Sequence, residues 1–159
     1  IWFLHRVWPH LRHVAGLEID IVGAAPSPTL RRLGRQRGVH VHGFQPNLTP
    51  FYRRATLVVA PLRTGAGTRI KIIEAAAHGV PVVATTLAAE GLSLGAGRHI
   101  WLADRPEDFA HAIVEALSHP GQRARHARAA RAAVRRDNDR LRIIARITAQ
   151  AGGLLPAET

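Results

Sequence analysis

The chain has 159 residues, the length of one domain or of a piece of a larger protein, and at 47% hydrophobic it can bury a core, which excludes wholesale disorder. It contains no cysteine, which excludes disulfides and thiolate metal sites, and no run approaches the roughly 20 apolar residues of a membrane span. The formal charge of +11 raises nucleic acid or anionic lipid as partners, although a bias toward Ala and Arg is the favoured account of it.

Residues 2–13 carry Phe3, Val7 and Leu11 at helical spacing despite Pro9, and read as the end of a helix. His5, Arg6 and Pro9 interrupt this segment too early for a signal peptide. Because the chain opens at Ile1, it is expected to be processed, trimmed or a fragment. Residues 17–23 alternate apolar and polar side chains and stop at Gly23, a strand. A Pro-Ser-Pro start predicts a short basic helix over 29–37, before Gly38. Residues 39–42 form a second strand closed by Gly43 and Phe44, residues 48–54 a helix of one or two turns, and residues 57–60 a third strand stopped by Pro61.

A glycine loop over 63–68 then leads into a helix over 68–78. Ile70, Ile73 and Ala77 share one face of that helix, expected to pack on the sheet, while Lys71 and Glu74 lie on a neighbouring face. Residues 82–85 are unbroken in apolar character, as a strand buried on both sides would be. Residues 87–97 read as a loop of small residues with a short helix near Glu90, and residues 100–102 as a fifth strand. A helix over 105–117 has Pro106 in its first turn and Phe109, Ile113 and Leu117 on one stripe. Two Ala/Arg helices over 122–136 and 140–150 and a frayed tail from residue 152 complete the chain.

Strands alternating with helices give the fold class α/β, a Rossmann-like parallel sheet with helices on both faces. Ligands of such sheets bind beyond the carboxyl ends of the strands, and the loops after Gly23, His42, Ala60 and Thr85 all fall at that edge. The glycine loop is one of them. It leads into the helix that carries the sole lysine of the chain, in Gly65-Ala66-Gly67-Thr68-Arg69-Ile70-Lys71-Ile72-Ile73-Glu74-Ala75, and this unit is followed by Gly79-Val80-Pro81-Val82-Val83-Ala84-Thr85. A helix N-terminus behind glycines is suited to phosphate, a point-charge ammonium to a phosphate oxygen, and a carboxylate one turn on to vicinal hydroxyls. An ordinary loop–helix–strand unit with a surface Lys and Glu has the same spacing.

Other constellations are weaker. His40 and His42 share a strand face, and His10 and His13 are three apart, but no carboxylate cluster accompanies either pair, so no metal site is expected. Asp104 and Asp108 read as acids at a helix N-terminus. Arg128, Arg131 and Arg135 form a stripe, either a solvated helix face or a surface for anionic lipid. With 5% aromatics and no recognisable reading motif, nucleic acid is the least favoured partner.

Taken in order, these stretches, with Ile21-Val22-Gly23, Val41-His42-Gly43-Phe44-Gln45-Pro46-Asn47-Leu48, Val58-Val59-Ala60-Pro61-Leu62-Arg63 and Glu90-Gly91-Leu92, make the chain resemble the C-terminal, nucleotide-sugar-binding domain of retaining GT-B glycosyltransferases of the group 1 (family 4) type. The resemblance covers roughly residues 2–135. It implies a partial donor-binding domain over 1–137, followed by a C-terminal helix and tail over 138–159. Residues 2–9 match the domain's first helix, so the first strand, its phosphate-binding loop and the acceptor domain are absent; the sheet is expected to show a gap at its centre or to repair itself another way.

The resemblance also implies roles. Glu74 matches the last Glu of an E-x7-E pattern that holds the donor ribose. Gly65, Ala66, Gly67 and Thr68 would offer backbone N–H groups to the donor sugar and diphosphate. Gly43 and Phe44 would meet the base, with a core-edge aromatic as the alternative for Phe44. Arg69 and Lys71 do not match the family's phosphate-clamping pair; phosphate binding is read from their position alone, beside a solvated or salt-bridging role. Ala66 replaces the first carboxylate of E-x7-E, which leaves sugar identity and catalytic competence open. The implied reaction is transfer of a sugar from a nucleoside-diphosphate sugar to a glycan, lipid or small molecule with retention, without metal or other cofactor. It is expected in the bacterial cytoplasm or at the inner membrane face during cell-envelope glycan synthesis. No catalytic base is named, and the chain alone is expected to be inactive. The alternative is a non-catalytic nucleotide- or nucleic-acid-binding Rossmann-like domain.

Overall fold

The computed structural model of the protein describes residues 1–65 and 69–137. The expected helix over 140–150 and the tail lie outside the described residues. Within them the β-rich stretches become short strands, Ile19–Val22 (β1), Val39–His42 (β2), Val58–Ala60 (β3), Val82–Ala84 (β4) and Trp101–Leu102 (β5). Every pairing is parallel: β1 with β2 in register Ile19↔Val39, β3 with β4 in register Val58↔Val82, and β4 with β5 in register Val83↔Trp101. The helices between and after them are Pro28–Leu33 (α1), Thr49–Arg54 (α2), Ile70–His78 (α3), Thr86–Ala89 (α4), Pro106–Ser118 (α5) and Pro120–Asp137 (α6).

Alternation along the strands sorts the core onto two faces. Val82 and Ala84 point into a cluster with Ile72, Ala75 and Ala76 of α3 and Ala130, Ala133 and Val134 of α6. Val83 and Trp101 point the other way, into a cluster with Phe109, Ile113 and Ala116 of α5 and Phe3, Leu4, Val7 and Leu11 near the N-terminus. Ile19, Ile21 and Val41 pack on that second cluster too. The other face of β1 and β2 is polar. There Asp20 Oδ1 meets His42 Nε2 at 2.6 Å and Asp20 Oδ2 accepts from Arg54 Nη2 of α2 at 2.9 Å. Phe51, also on α2, receives the edge of the His42 ring and the Arg54 guanidinium, 4.4 Å from its centroid. Burial pushes the Asp20 carboxyl up, but the His42 and Arg54 contacts outweigh it, so its pKa lies below the ordinary 3.8.

Three sequence expectations are corrected. The N-terminal segment is not a regular helix: Phe3–Val7 winds as a π-helix and Trp8–Leu11 as a 3₁₀ turn. Pro9 has no N–H to give the carbonyl four residues back, and its ring crowds that carbonyl, so the winding widens ahead of it and tightens at it. Helix α1 is shorter than 29–37 because Gly34 ends it; a Cβ there would lie 2.5 Å from Val41 Cγ2. The fully buried residues of α3 are Ile72, Ala75 and Ala76; of the expected face, Ile73 packs half-buried against the same cluster, whereas Ala77 is exposed and Ile70 is 54% exposed. Small alanines let α3 approach both β4 and α6 closely.

Among the described residues the sheet is left open and not repaired. The strands fall into two sheets, β1-β2 and β3-β4-β5, and no described strand joins β1 to β3. Both sheets nevertheless rest on the same apolar cluster, to which Ile19 and Ile21 of β1 and Val59 of β3 contribute.

Candidate functional site

Parallel pairing puts the carboxyl ends of β3, β4 and β5 at one edge, and short-range bonds tie the loops there together. Thr85, fully buried at the end of β4, donates from Oγ1 to the Leu62 carbonyl at 2.6 Å and accepts from the Ala88 N–H at 3.3 Å, capping α4. Asp104, beyond β5, accepts from the Thr86 N–H at 2.9 Å and from its hydroxyl at 2.7 Å. Arg63 donates to the Asp104 carbonyl at 2.9 Å and lies over the Trp2 ring. Asp104 therefore serves the start of α4; the acids in the first turn of α5 are Glu107 and Asp108.

The loop from β3 reaches Gly65 with φ of +109°, a conformation that favours glycine. Ala66, Gly67 and Thr68, expected to offer amides to a diphosphate, lie outside the described residues. Arg69 lies directly before α3, and among the described residues no side-chain hydrogen bond caps the helix. Its first-turn amides therefore carry the positive end of the helix dipole without an internal acceptor from a cap. Lys71 is exposed and makes no ion pair among the described residues. Arg69 differs: its side chain is only 12% exposed and pairs with Glu90 at 3.5 Å. That bond links the start of α3 to the loop after α4.

Glu74 is half-buried one turn into α3. Its Oε2 accepts from the Tyr52 hydroxyl of α2 at 3.0 Å, and the Tyr52 ring stacks on His78, one turn further along α3, with centroids 4.8 Å apart and planes 12° apart. Burial, reinforced by the neighbouring Glu74 carboxylate, drives the Tyr52 phenol far above its ordinary pKa of 10, so it remains a donor. Phe44 is 73% exposed, which removes the core-edge alternative; Gly43 beside it is exposed too. A concavity of about 300 Å³ opens at this end of the β1-β2 sheet, lined by Pro26, Arg31, Gly34, Val41 and Gly43. Gly43 is the single expected ligand contact among these lining residues.

Sequence reasoning grouped Lys71 and Glu74 on α3, where they are found, but missed Tyr52 and Thr85 as parts of the site. Tyr52 is the sole tyrosine of the chain, the one signal that could have drawn attention to it. On α6 the expected stripe of Arg128, Arg131 and Arg135 is exposed, whereas Arg123 turns inward and donates to the Ala116 and Leu117 carbonyls, closing α5. His40 and His42 pair separately with Glu18 and Asp20 across the β1-β2 ladder.

Residues 1–119 match the family described as Glycosyl transferases group 1. No curated protein matches the sequence. Among solved structures, HepE of Anabaena in complex with UDP and glucose superposes with a TM-score of 0.79 at 21% identity, over 94% of this chain and 44% of its own. Sucrose-phosphate synthase of Thermosynechococcus elongatus gives a TM-score of 0.75 at 17% identity, over 96% of this chain and 43% of its own. The C-terminal domain of a glycosyl transferase group 1 family protein (LpcC) of Francisella tularensis gives 0.70 at 18% identity, over 83% of this chain and 75% of its own. At these identities the likeness is one of fold. The chain spans less than half the length of HepE and of the synthase.

Proposed function

The chain belongs to the glycosyl transferases group 1 family, and on that footing we propose that it is the donor-binding half of a retaining GT-B glycosyltransferase, which moves a hexose from a nucleoside-diphosphate sugar to an acceptor hydroxyl. The observation that carries the reading is the family match across residues 1–119, which takes in the glycine loop, α3 and the loops beyond β2, β4 and β5. The solved complexes of HepE with UDP and with UDP-glucose support a nucleotide sugar as the ligand.

In this reading the diphosphate lies against the amides of residues 65–68 and the uncapped start of α3, with Lys71 as the nearby cation. Positive dipoles fixed at that point stabilise the charge that grows on the leaving diphosphate as the anomeric bond breaks. Glu74 holds the ribose hydroxyls, and the exposed Phe44 with Gly43 meets the base. The groups that receive and activate the acceptor lie across an interdomain cleft, so residues 1–159 alone bind donor weakly and do not turn it over.

Calorimetric titration of UDP, GDP and ADP sugars into the intact protein tests the reading. Glu74→Ala removes a charged hydrogen-bonding partner and is expected to weaken the preferred donor roughly 10-fold or more. Unchanged affinity would remove the ribose role. The presence of Ala66 where the pattern has a carboxylate favours a second reading, a domain that binds donor without transferring sugar. Product analysis of the intact protein with a panel of donors separates the two, because turnover of any sugar eliminates the second.

A further inference from the structure

A carboxylate that must receive two hydroxyls of a pentose needs a fixed orientation, and Glu is among the side chains with the most rotamer freedom to lose. Nothing on α3 itself fixes Glu74. Among the described residues its hydrogen-bond partner is Tyr52, which takes Oε2 and leaves Oε1 without a protein partner. Tyr52 is in turn immobilised from a second direction, its ring lying flat on His78. The hydroxyl thus reaches Glu74 from a ring held by packing, the arrangement that makes a binding group preorganised instead of ordered at the moment of binding.

The position of Tyr52 in the chain adds a second consequence. Helix α2 follows directly from the loop that holds Gly43 and Phe44. Its other side is pinned to the β1-β2 sheet through Arg54 on Asp20 and Phe51 on His42. Tyr52 therefore joins a braced helix, continuous with the Gly43–Phe44 loop, to the carboxylate on α3.

We propose that Tyr52 is the positioning residue of the pentose site: its hydroxyl orients the Glu74 carboxylate so that Oε1 is presented to the ribose hydroxyls, and it sets the discrimination between ribose and its deoxy forms. The assignment rests on the reading of Glu74 as the ribose ligand. Tyr52 does not touch the donor and takes no part in the transfer itself.

The test compares UDP, GDP and ADP, each beside its 2′,3′-dideoxy counterpart, by calorimetry on the intact protein, the Tyr52→Phe variant and the Glu74→Ala variant. Phe keeps the ring on His78 and deletes only the hydroxyl. The expected result is a fall of roughly 5- to 10-fold in the ribose-to-dideoxy affinity ratio in Tyr52→Phe, with the dideoxy nucleotide bound as before. Steady-state kinetics should show a matching rise in donor KM with kcat little changed. If Glu74→Ala collapses the ratio and Tyr52→Phe leaves it intact, the positioning role is overturned and the ribose reading survives. If Tyr52→Phe weakens both nucleotides alike, Tyr52 is merely structural and the proposal fails. If Glu74→Ala leaves the ratio intact, or the parent protein binds none of the three nucleotides, the ribose reading falls and the Tyr52 role falls with it.

Discussion

Thr85 shows how much a single polar atom contributes at the edge of this sheet. Its hydroxyl satisfies a carbonyl 23 residues away on the β3 loop and caps α4 with the same oxygen, inside a pocket that water does not reach. Thr85→Val keeps the shape and loses both bonds, leaving the half-buried Leu62 carbonyl without this donor and the buried Ala88 N–H without its cap. The expected cost is about 1–3 kcal/mol, seen as a fall of several degrees in the thermal midpoint. A midpoint equal to that of the parent protein would show that Leu62 finds another donor. In the sequence Thr85 was legible only as the last residue of a strand, because the partner that gives it meaning is remote. Lys71 and Glu74 were legible because their spacing on one helix is a local fact; Tyr52 was not, because what it does depends on how α2 lies against α3.

Among the elements, α3 has a well-defined stop. Gly79 adopts φ of +75°, its N–H reaches the Ala76 carbonyl at 2.9 Å, and the next N–H, from Val80, reaches the Ala75 carbonyl at 2.8 Å. This is the paired closure that a left-handed residue makes possible. A Cβ on Gly79 would meet nothing nearer than Arg131 Cδ at 3.9 Å, so the obstacle to alanine is conformational and not steric. Gly79→Ala is expected to cost about 1–2 kcal/mol, and Gly79→Asn less, in denaturant unfolding. Equal stability of the three would mean that the turn tolerates a right-handed closure. The stop was readable as a glycine before a buried strand. The buried face was not, because residues 70–77 carry apolar side chains nearly all round and periodicity alone cannot choose among them; the close approach of α6 through Ala130 and Ala133 makes the choice. At the N-terminus Pro9 announced a disturbance, but its form, a π turn followed by a 3₁₀ turn, follows from which carbonyls the proline leaves for its neighbours.

For the whole molecule, acid is the informative perturbation. His126 of α6 is 4% exposed and lies on Trp101 of β5 with ring centroids 4.1 Å apart; its Nδ1 finds no hydrogen-bond partner among the described residues. Burial, helped by the Arg125 and His99 charges, lowers its pKa from the ordinary 6.5 despite opposing contributions from the Gly97 backbone and Glu115. His99 is lowered likewise, by burial and then by Arg98 and Arg136. The unfolded chain therefore binds more protons than the folded one below pH 6.5, so stability rises with pH through that region. The stability that neutral His99 and His126 contribute is complete above 6.5 and is lost as pH falls toward their folded values. Asp20, depressed below 3.8, adds its own loss only at lower pH. Thermal midpoints measured between pH 8 and pH 5 should decline on the acid side, and His126→Phe should flatten the decline; an identical profile in the variant would assign it to other groups. The parallel order of the strands was readable from their alternation with helices. In the open sheet, β1 uses Ile19 to bond Gly38 beside β2, so Asp20 and Val22 direct their amides and carbonyls outward, where no described strand meets them. Leu57 and Val59 do the same from β3, whose bonds to the β4 side run through Val58 and Ala60. Two such rows turn folding into a linked equilibrium: any extended segment that lays itself along them adds RT ln(1 + [L]/Kd) to the stability, and the melting temperature of this chain becomes a function of that segment's concentration.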